Sequence, residues 1–234
     1  MLEFLGRIEK STDTSAVSLY LPPGLAGQEI EDIAGDGGLE PIPDDLIPLA
    51  TGSRTGATLF WGEEWKCLVL PPFPIGEKTI FTGYDGEPLR LLLEKDYKIG
   101  LVLVHLGSYA VGYCRGEKLV SSKVGTGLIH GRHKKGGSSQ QRFQRRRENQ
   151  ANEFLDRVCS RAMEHLKLPE GELDYVIYGG PRQTVLSLKK RCQFLQSLED
   201  KELPVIDVPT LRQPVLEKTV NRIWVSKIVE WVEG

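Results

Sequence analysis

Along the first 95 positions, apolar residues come in short runs cut by Gly, Pro and acidic residues, the pattern of strands joined by turns. Residues 13–22, DTSAVSLYLP, carry the β-branched and aromatic side chains of a strand that Pro22-Pro23 stops. Residues 24–48 are acidic and rich in Gly and Pro, and predict a short helix followed by a solvated, irregular loop. Ala57–Trp61 and Trp65–Leu70 flank Gly62-Glu63-Glu64 as a hairpin that Pro71-Pro72 ends. Residues 78–94 predict a further strand and connector.

From Lys98 the texture changes. Ile99–Leu106 is almost continuously apolar, which suits a strand buried on both faces. Gly107-Ser108 marks a turn, and Tyr109–Arg115 and Lys118–Val124 complete an antiparallel meander. Further on, Leu173–Tyr178 predicts a strand, Thr184–Leu195 a helix and Pro204–Val208 a short strand. Leu211–Val232 predicts a C-terminal helix with Leu216, Val220, Ile223, Ile228 and Trp231 on its buried side. Strands first, then alternating helix and strand, imply an α+β fold, a mixed β-sheet covered by helices. The expected division is a small acidic N-terminal α/β domain over 1–95 and a larger domain over 96–234.

Between meander and strand lies a helix of two characters. Ala151, Phe154, Leu155, Val158, Ala162 and Leu166 recur at intervals of three and four, giving one core-facing stripe. From Gln141 to Gln150 the only large apolar side chain is Phe143, and Arg142, Arg145, Arg146 and Arg147 occupy the other faces. A helix polar all round has no face to bury, so this part is expected to project, by about 15 Å at ~1.5 Å per residue.

Composition sets bounds. A chain of 234 residues that is 40% hydrophobic can bury a real core, and 26% charged residues is an ordinary globular value. No apolar run approaches the roughly 20 residues of a membrane helix. The N-terminus, MLEFLGRIEKSTD, lacks the apolar core of a secretion signal, so a cytoplasmic protein without membrane contact is expected. Cys67, Cys114, Cys159 and Cys192 form no Cys-x-x-Cys pair, so reduced thiols are expected and a zinc site is not. His130 and His133 sit among cations that oppose a metal ion, and no metal or cofactor is expected.

Charge changes the picture most. Between Arg132 and Arg147 stand seven Lys or Arg residues and no acid, while the rest of the chain nets about −9. Residues 1–50 hold ten acids against two bases. A dense cationic stretch around a Gly-Gly-Ser-Ser turn contributes nothing to a core, and a polyanion partner explains it. Ser138 and Gln141 fit a capping box that starts the helix at Ser138 and leaves Gln140 in the first turn, beside unpaired backbone N–H groups. Gly136 and Gly137 permit close backbone approach to a ligand. Each feature has a bland alternative: a Gly pair before a helix is usually a turn, a Gln there usually a cap, a basic run usually a patch without chemistry. Residue chemistry alone supports nucleic-acid binding, without separating RNA from DNA and without giving a reaction.

The order of residues adds to this. KIGLVLVHLGSYAVGYCRGEKL, then HGRHKKGGSSQQRFQRRRE and a long helix, resembles the middle domain of the eukaryotic and archaeal peptide-chain release factors. In that family an R-x-x-x-G-G-Q loop precedes a helix beginning near R-F-x-R-x-R. Gly136 and Gly137 match the glycines, and Arg142-Phe143 with Arg145 to Arg147 match the helix. TSAVSLYLPPG at 14–24 is similar to the opening strand of that family's first domain. Here the Gln arrives two positions late, after Ser138-Ser139, a G-x-x-Q form that resembles the Vms-type peptidyl-tRNA hydrolases. The N-I-K-S stop-codon motif, a counterpart of the third domain, and the ankyrin repeats and zinc fingers of eukaryotic Vms-type proteins are not found, so the chain resembles a stand-alone prokaryotic member.

The resemblance implies metal-independent hydrolysis of the peptidyl-tRNA ester at the peptidyl transferase centre of the large ribosomal subunit, in rescue of stalled ribosomes. It assigns Gln140, Gly136 and Gly137 to catalysis, with Gln140 favoured over Gln141 as the water-positioning amide. It assigns RNA binding to Arg132, His133, Lys134, Lys135, Ser138, Ser139, Arg142, Arg145, Arg146 and Arg147. The expected partners are the ribosome and peptidyl-tRNA, with the protein a monomer. The alternatives are a non-catalytic ribosome- or RNA-binding factor, and a metal-dependent nuclease using Asp96, Asp174 and Asp207.

Overall fold

A computed structural model describes residues 1–39, 41–129, 139–167, 171–208, 211 and 213–231. The chain divides into two compact units, Met1–Lys95 with Ile223–Gly234, and Asp96–Arg222. In chain order the first unit contributes α1 (Leu2–Ile8), β1 (Val17–Leu21), α2 (Gly27–Asp36), α3 (Ile47–Thr51), β2 (Ala57–Trp61), β3 (Lys66–Leu70), β4 (Thr79–Thr82) and α4 (Glu87–Glu94). The second contributes β5 (Lys98–His105), β6 (Ser108–Arg115), β7 (Lys118–Thr126), α5 (Ser139–Leu166), β8 (Tyr175–Gly179), α6 (Arg182–Arg191) and α7 (Gln193–Gln196). A 3-10 turn at Glu199–Lys201 and α8 (Gln213–Ile223) follow, and β9 (Lys227–Trp231) returns to the first unit.

The first unit is an antiparallel sheet in the order β4-β1-β2-β3-β9. Strand alternation sends Leu19, Leu59, Trp61 and Leu68 to one face, against Ile30, Ile33 and Ala34 of α2. Tyr20, Phe60, Cys67 and Val69 go to the other, against Phe4, Leu5 and Ile8 of α1 and Leu89 of α4. Burial on both faces explains why these strands read as apolar runs.

The second unit is a mixed sheet in the order β7-β6-β5-β8, as the α+β expectation requires. The meander β5-β6-β7 is antiparallel, and β8 lies parallel to β5 after the helical crossover. Val102, Val104, Tyr109 and Val111 of the sheet pack against Phe154, Leu155, Val158, Ala162 and Leu166 of α5 and Val185 and Leu188 of α6. The apolar stripe of α5 is therefore the core face, with Ala151 half-buried at its edge.

Several expectations are corrected. The helix expected over Leu211–Val232 ends at Ile223, and Lys227–Trp231 is a strand paired with β3 in the register Lys66↔Trp231, Leu68↔Val229 and Leu70↔Lys227. Ile223, Ile228 and Trp231 fit a helical period, but Ile228-Val229 also suits a strand, and the free edge of β3 supplied the ladder. The last segment groups with the first compact unit. The helix at Thr184–Leu195 is two helices, broken where Cys192 adopts an extended backbone. Residues 204–208 make a single isolated bridge among the described residues, Gly179↔Ile206. Part of the expected connector is α4, and α1 had not been expected at all. Cys159 and Cys192 are joined in a disulfide, contrary to the expected reduced pair, and Cys67 and Cys114 are free and buried. Their 33-residue separation hid a contact made only when α5 packs on the turn after α6.

Candidate nucleic-acid interface

The cationic stretch is held at both ends by the second unit. β7 delivers the chain at Thr126 and α5 receives it at Ser139. A Cβ on Gly127 would lie 2.5 Å from Cδ2 of Phe154, and one on Gly125 would lie 2.5 Å from the Tyr109 ring. Two glycines at the end of β7 thus clear the space in which Tyr109 and Phe154 meet, their ring centroids 6.1 Å apart. That contact fixes the root of α5 against the strand that leads into the loop. Nothing in the residue-type pattern singled out Gly125 or Gly127; the spacing Gly-Thr-Gly before a basic run was the available signal.

Beyond this root the outer turns of α5 are exposed among the described residues. Phe154 is the first fully buried side chain of α5, and Gln141 to Arg146 are all exposed. Phe143 is 52% exposed. Arg142, Arg145 and Arg146 are solvated around successive faces and form no ion pair among the described residues. The nearest acid, Glu148, accepts from the Gln144 amide instead, at 2.9 Å. Arg147 differs: it is half-buried, and its Nε has no acceptor among the described residues. The exposed Arg set is therefore three, with Arg147 turned toward the body.

Further along, the helix is tied to its scaffold. Arg191 Nε and Nη2 donate to the two carboxylate oxygens of Asp156 at 2.9 and 2.7 Å, beside the Cys159–Cys192 disulfide. Arg161 donates to Glu164 at 2.5 Å, which raises the guanidinium pKa further. These pairs engage Asp156, Arg161 and Glu164 of the core half of α5, whereas Arg142, Arg145 and Arg146 of the outer half have no such partner among the described residues.

Of the site residues expected from the sequence, Arg132, His133, Lys134, Lys135, Gly136, Gly137 and Ser138 lie outside the described residues, as does the Ser138 side of the capping box. Ser139 and Gln140 are the first two residues of α5, with only their backbone described. Two of the three carboxylates of the nuclease alternative are otherwise engaged, and Asp207 accepts from Arg222 through its main-chain oxygen. Asp96 accepts from Arg115 Nε at 2.7 Å, and Asp174 accepts from the Lys98 N–H at 2.8 Å. Among the described residues no group of His, Cys, Asp or Glu could hold a metal ion. Burial pushes the Cys67 and Cys114 thiols up to about 12, so neither offers a thiolate near neutrality. Among the described residues no helix is long and apolar enough to cross a membrane.

Residues 97–229 match the model of a family described as the Actinobacteria/chloroflexi VLRF1 release factor. Peptide chain release factor subunit 1 of Methanopyrus kandleri is 29% identical over 158 residues, covering 66% of this chain and 38% of that protein. The protein of the same name from Thermococcus onnurineus is 28% identical over 226 residues, covering 83% and 54% respectively. The chain spans about half the length, or less, of these curated relatives. Among solved structures, the archaeal translation termination factor aRF1 superimposes with a TM-score of 0.38 at 20% identity, over 94% of this chain and 72% of that one. Pelota of Archaeoglobus fulgidus gives 0.31 at 12% identity, over 92% and 64%.

Proposed function

This chain belongs to the Actinobacteria/chloroflexi VLRF1 release factor family, and from that premise we propose that it is a peptidyl-tRNA hydrolase releasing nascent chains from stalled ribosomes or large subunits. One observation carries the reading: the Gly-Gly-Ser-Ser-Gln run leads straight into helical turns exposed on every face, whose Arg142, Arg145 and Arg146 have no carboxylate partner among the described residues. Such turns are costly to keep bare and are relieved by phosphate.

The ester of peptidyl-tRNA needs an oriented water and stabilisation of the oxyanion that develops at its carbonyl. A neutral amide accepts from the water through its oxygen and donates through its nitrogen, so Gln140 is suited to hold that water without a charged base. Gly136 and Gly137 let the backbone enter a narrow RNA cavity. Arg132, His133, Lys134, Lys135, Ser138 and Ser139 hold the tip, and the arginines of α5 hold its stem against phosphates. Phe143 offers an exposed ring among those arginines, suited to stacking on an unpaired base. The partners are then the ribosome and peptidyl-tRNA in the cytoplasm, with the protein acting as a monomer and without a cofactor.

A factor that binds without hydrolysing would use the same arginines and need no Gln. Peptide release from stalled ribosome–nascent-chain complexes separates the two. Gln140→Ala is expected to bind like wild type and release little peptide, and Gly137→Ala is expected to cut release with the fold retained. Equal release by wild type and Gln140→Ala would end the catalytic assignment.

A further inference from the structure

The two units carry opposite charge. Met1–Lys95 with Ile223–Gly234 hold 18 acidic and eight basic residues, a net of −10, whereas Asp96–Arg222 hold 14 acidic and 22 basic, a net of +8. A unit at −10 is repelled by the phosphates that suit the basic helix, so its own partner has a different chemistry.

The first unit contains a cavity of about 540 Å³ at one end of its sheet, walled by Trp61, Trp65 and Trp231 and by Glu63, Glu64 and Glu230. The sheet register builds part of this wall. Trp61 faces Lys66 across β2 and β3, and Lys66 faces Trp231 across β3 and β9, so the three form one row on one face. Lys66 Nζ already lies 5.4 Å from the Trp61 ring centroid, an internal example of a cation on this aromatic surface. Trp61 is only 6% exposed, lines the cavity, and its Nε1 has no acceptor among the described residues. Glu63, Glu64 and Glu230 are exposed and form no ion pair among the described residues. Glu230 is paired with Cys67 and so belongs to the opposite face, and the carboxylates of Glu63 and Glu64 against one ammonium leave the cavity negative. Beside it, β9 is an edge strand that pairs with β3 on one side only among the described residues.

We propose that this cavity is the docking site for an extended, arginine- or lysine-rich segment of a partner protein. The segment adds along the open edge of β9, where backbone hydrogen bonds hold it. A cationic side chain then enters the cavity, stacks on the tryptophan faces and pairs with Glu63 and Glu64. A phosphate backbone has neither the charge nor the donors for this site.

The site is independent of the release activity, and its test uses the full chain. Tryptophan fluorescence is titrated with a synthetic twelve-residue peptide carrying Arg at alternate positions, with the same peptide carrying Gln there, and with an oligouridylate. The Arg peptide is expected to bind about tenfold or more tighter than the Gln peptide. Trp231→Ala is expected to weaken the Arg peptide by about tenfold, and the exposed pair Glu63→Gln/Glu64→Gln by about fivefold with an unchanged circular dichroism spectrum. Unchanged affinity in the Glu pair would overturn the proposal, whatever Trp231→Ala does to the sheet. Equal binding of both peptides, or an equal response of the tryptophans to oligouridylate alone, would overturn it as well.

Discussion

Replacing Arg142, Arg145 and Arg146 together by Gln should move stability and binding in opposite directions. All three side chains are solvated and without an ion pair among the described residues, so no ion pair described there is lost. Gln and Arg have similar helix propensity. Arg142 stands three and four residues before Arg145 and Arg146, and relief of two like-charge pairs at ~0.2–0.5 kcal/mol each should stabilise the helix by about 0.4–1 kcal/mol. Binding to single-stranded RNA should fall. With five to seven phosphate contacts the wild-type slope of log K against log salt is about −3.5 to −5, and removing three contacts flattens it by ~2. If affinity converges near 1 M salt, the variant binds about 100-fold more weakly at 0.1 M. Fluorescence anisotropy of a labelled oligoribonucleotide over a salt series gives the slope, and urea denaturation gives the stability. An unchanged slope would refute the assignment of these arginines to phosphate, and a loss of stability would show that they hold the fold.

Other consequences follow from the packing. Gly127→Ala places a methyl 2.5 Å from the Phe154 ring and should cost about 1–3 kcal/mol in urea denaturation, since the ring is locked in the core. Reduction of Cys159–Cys192 opens a 33-residue loop, and the chain-entropy relation puts its cost at roughly 3–4 kcal/mol; identical melting with and without reductant would mean the pair is not closed in solution. Burial raises the Cys67 and Cys114 pKa values from 9.0 to about 12, so stability is fully present below pH 9 and is lost as pH rises toward 12. The loss is about 1.4 kcal/mol per pH unit for each thiol, and Cys67→Ala/Cys114→Ala should flatten urea midpoints measured above pH 9.

What was legible in the sequence followed physical periodicity. The unbroken apolar run at Ile99–Val104 announces a strand covered on both faces, and the spacing from Phe154 to Leu166 announces a single packed stripe. The bare turns of α5 were legible for the converse reason, since arginine on every side leaves nothing to bury. The C-terminus misled because Ile223, Ile228 and Trp231 satisfy a helical period, whereas the deciding fact, an unpaired edge on β3, lies about 160 residues away in sequence. The disulfide and the clearances at Gly125 and Gly127 are likewise products of tertiary packing. So is the row of Trp61, Lys66 and Trp231, which exists only because β9 closes the sheet. The tip residues 130–138 carry their signal in residue type and order alone.

On this reading the Gln tip reaches the ester at which a nascent chain is joined to tRNA. Cryo-electron microscopy of the full chain bound to large subunits carrying peptidyl-tRNA tests it most directly. Residues 130–147 are expected inside the peptidyl transferase centre, with the Gln140 amide within hydrogen-bond reach of the ester carbonyl or its attacking water. The basic helix lying on the outer surface of the subunit, with Gln140 far from the tRNA 3′ end, would contradict it.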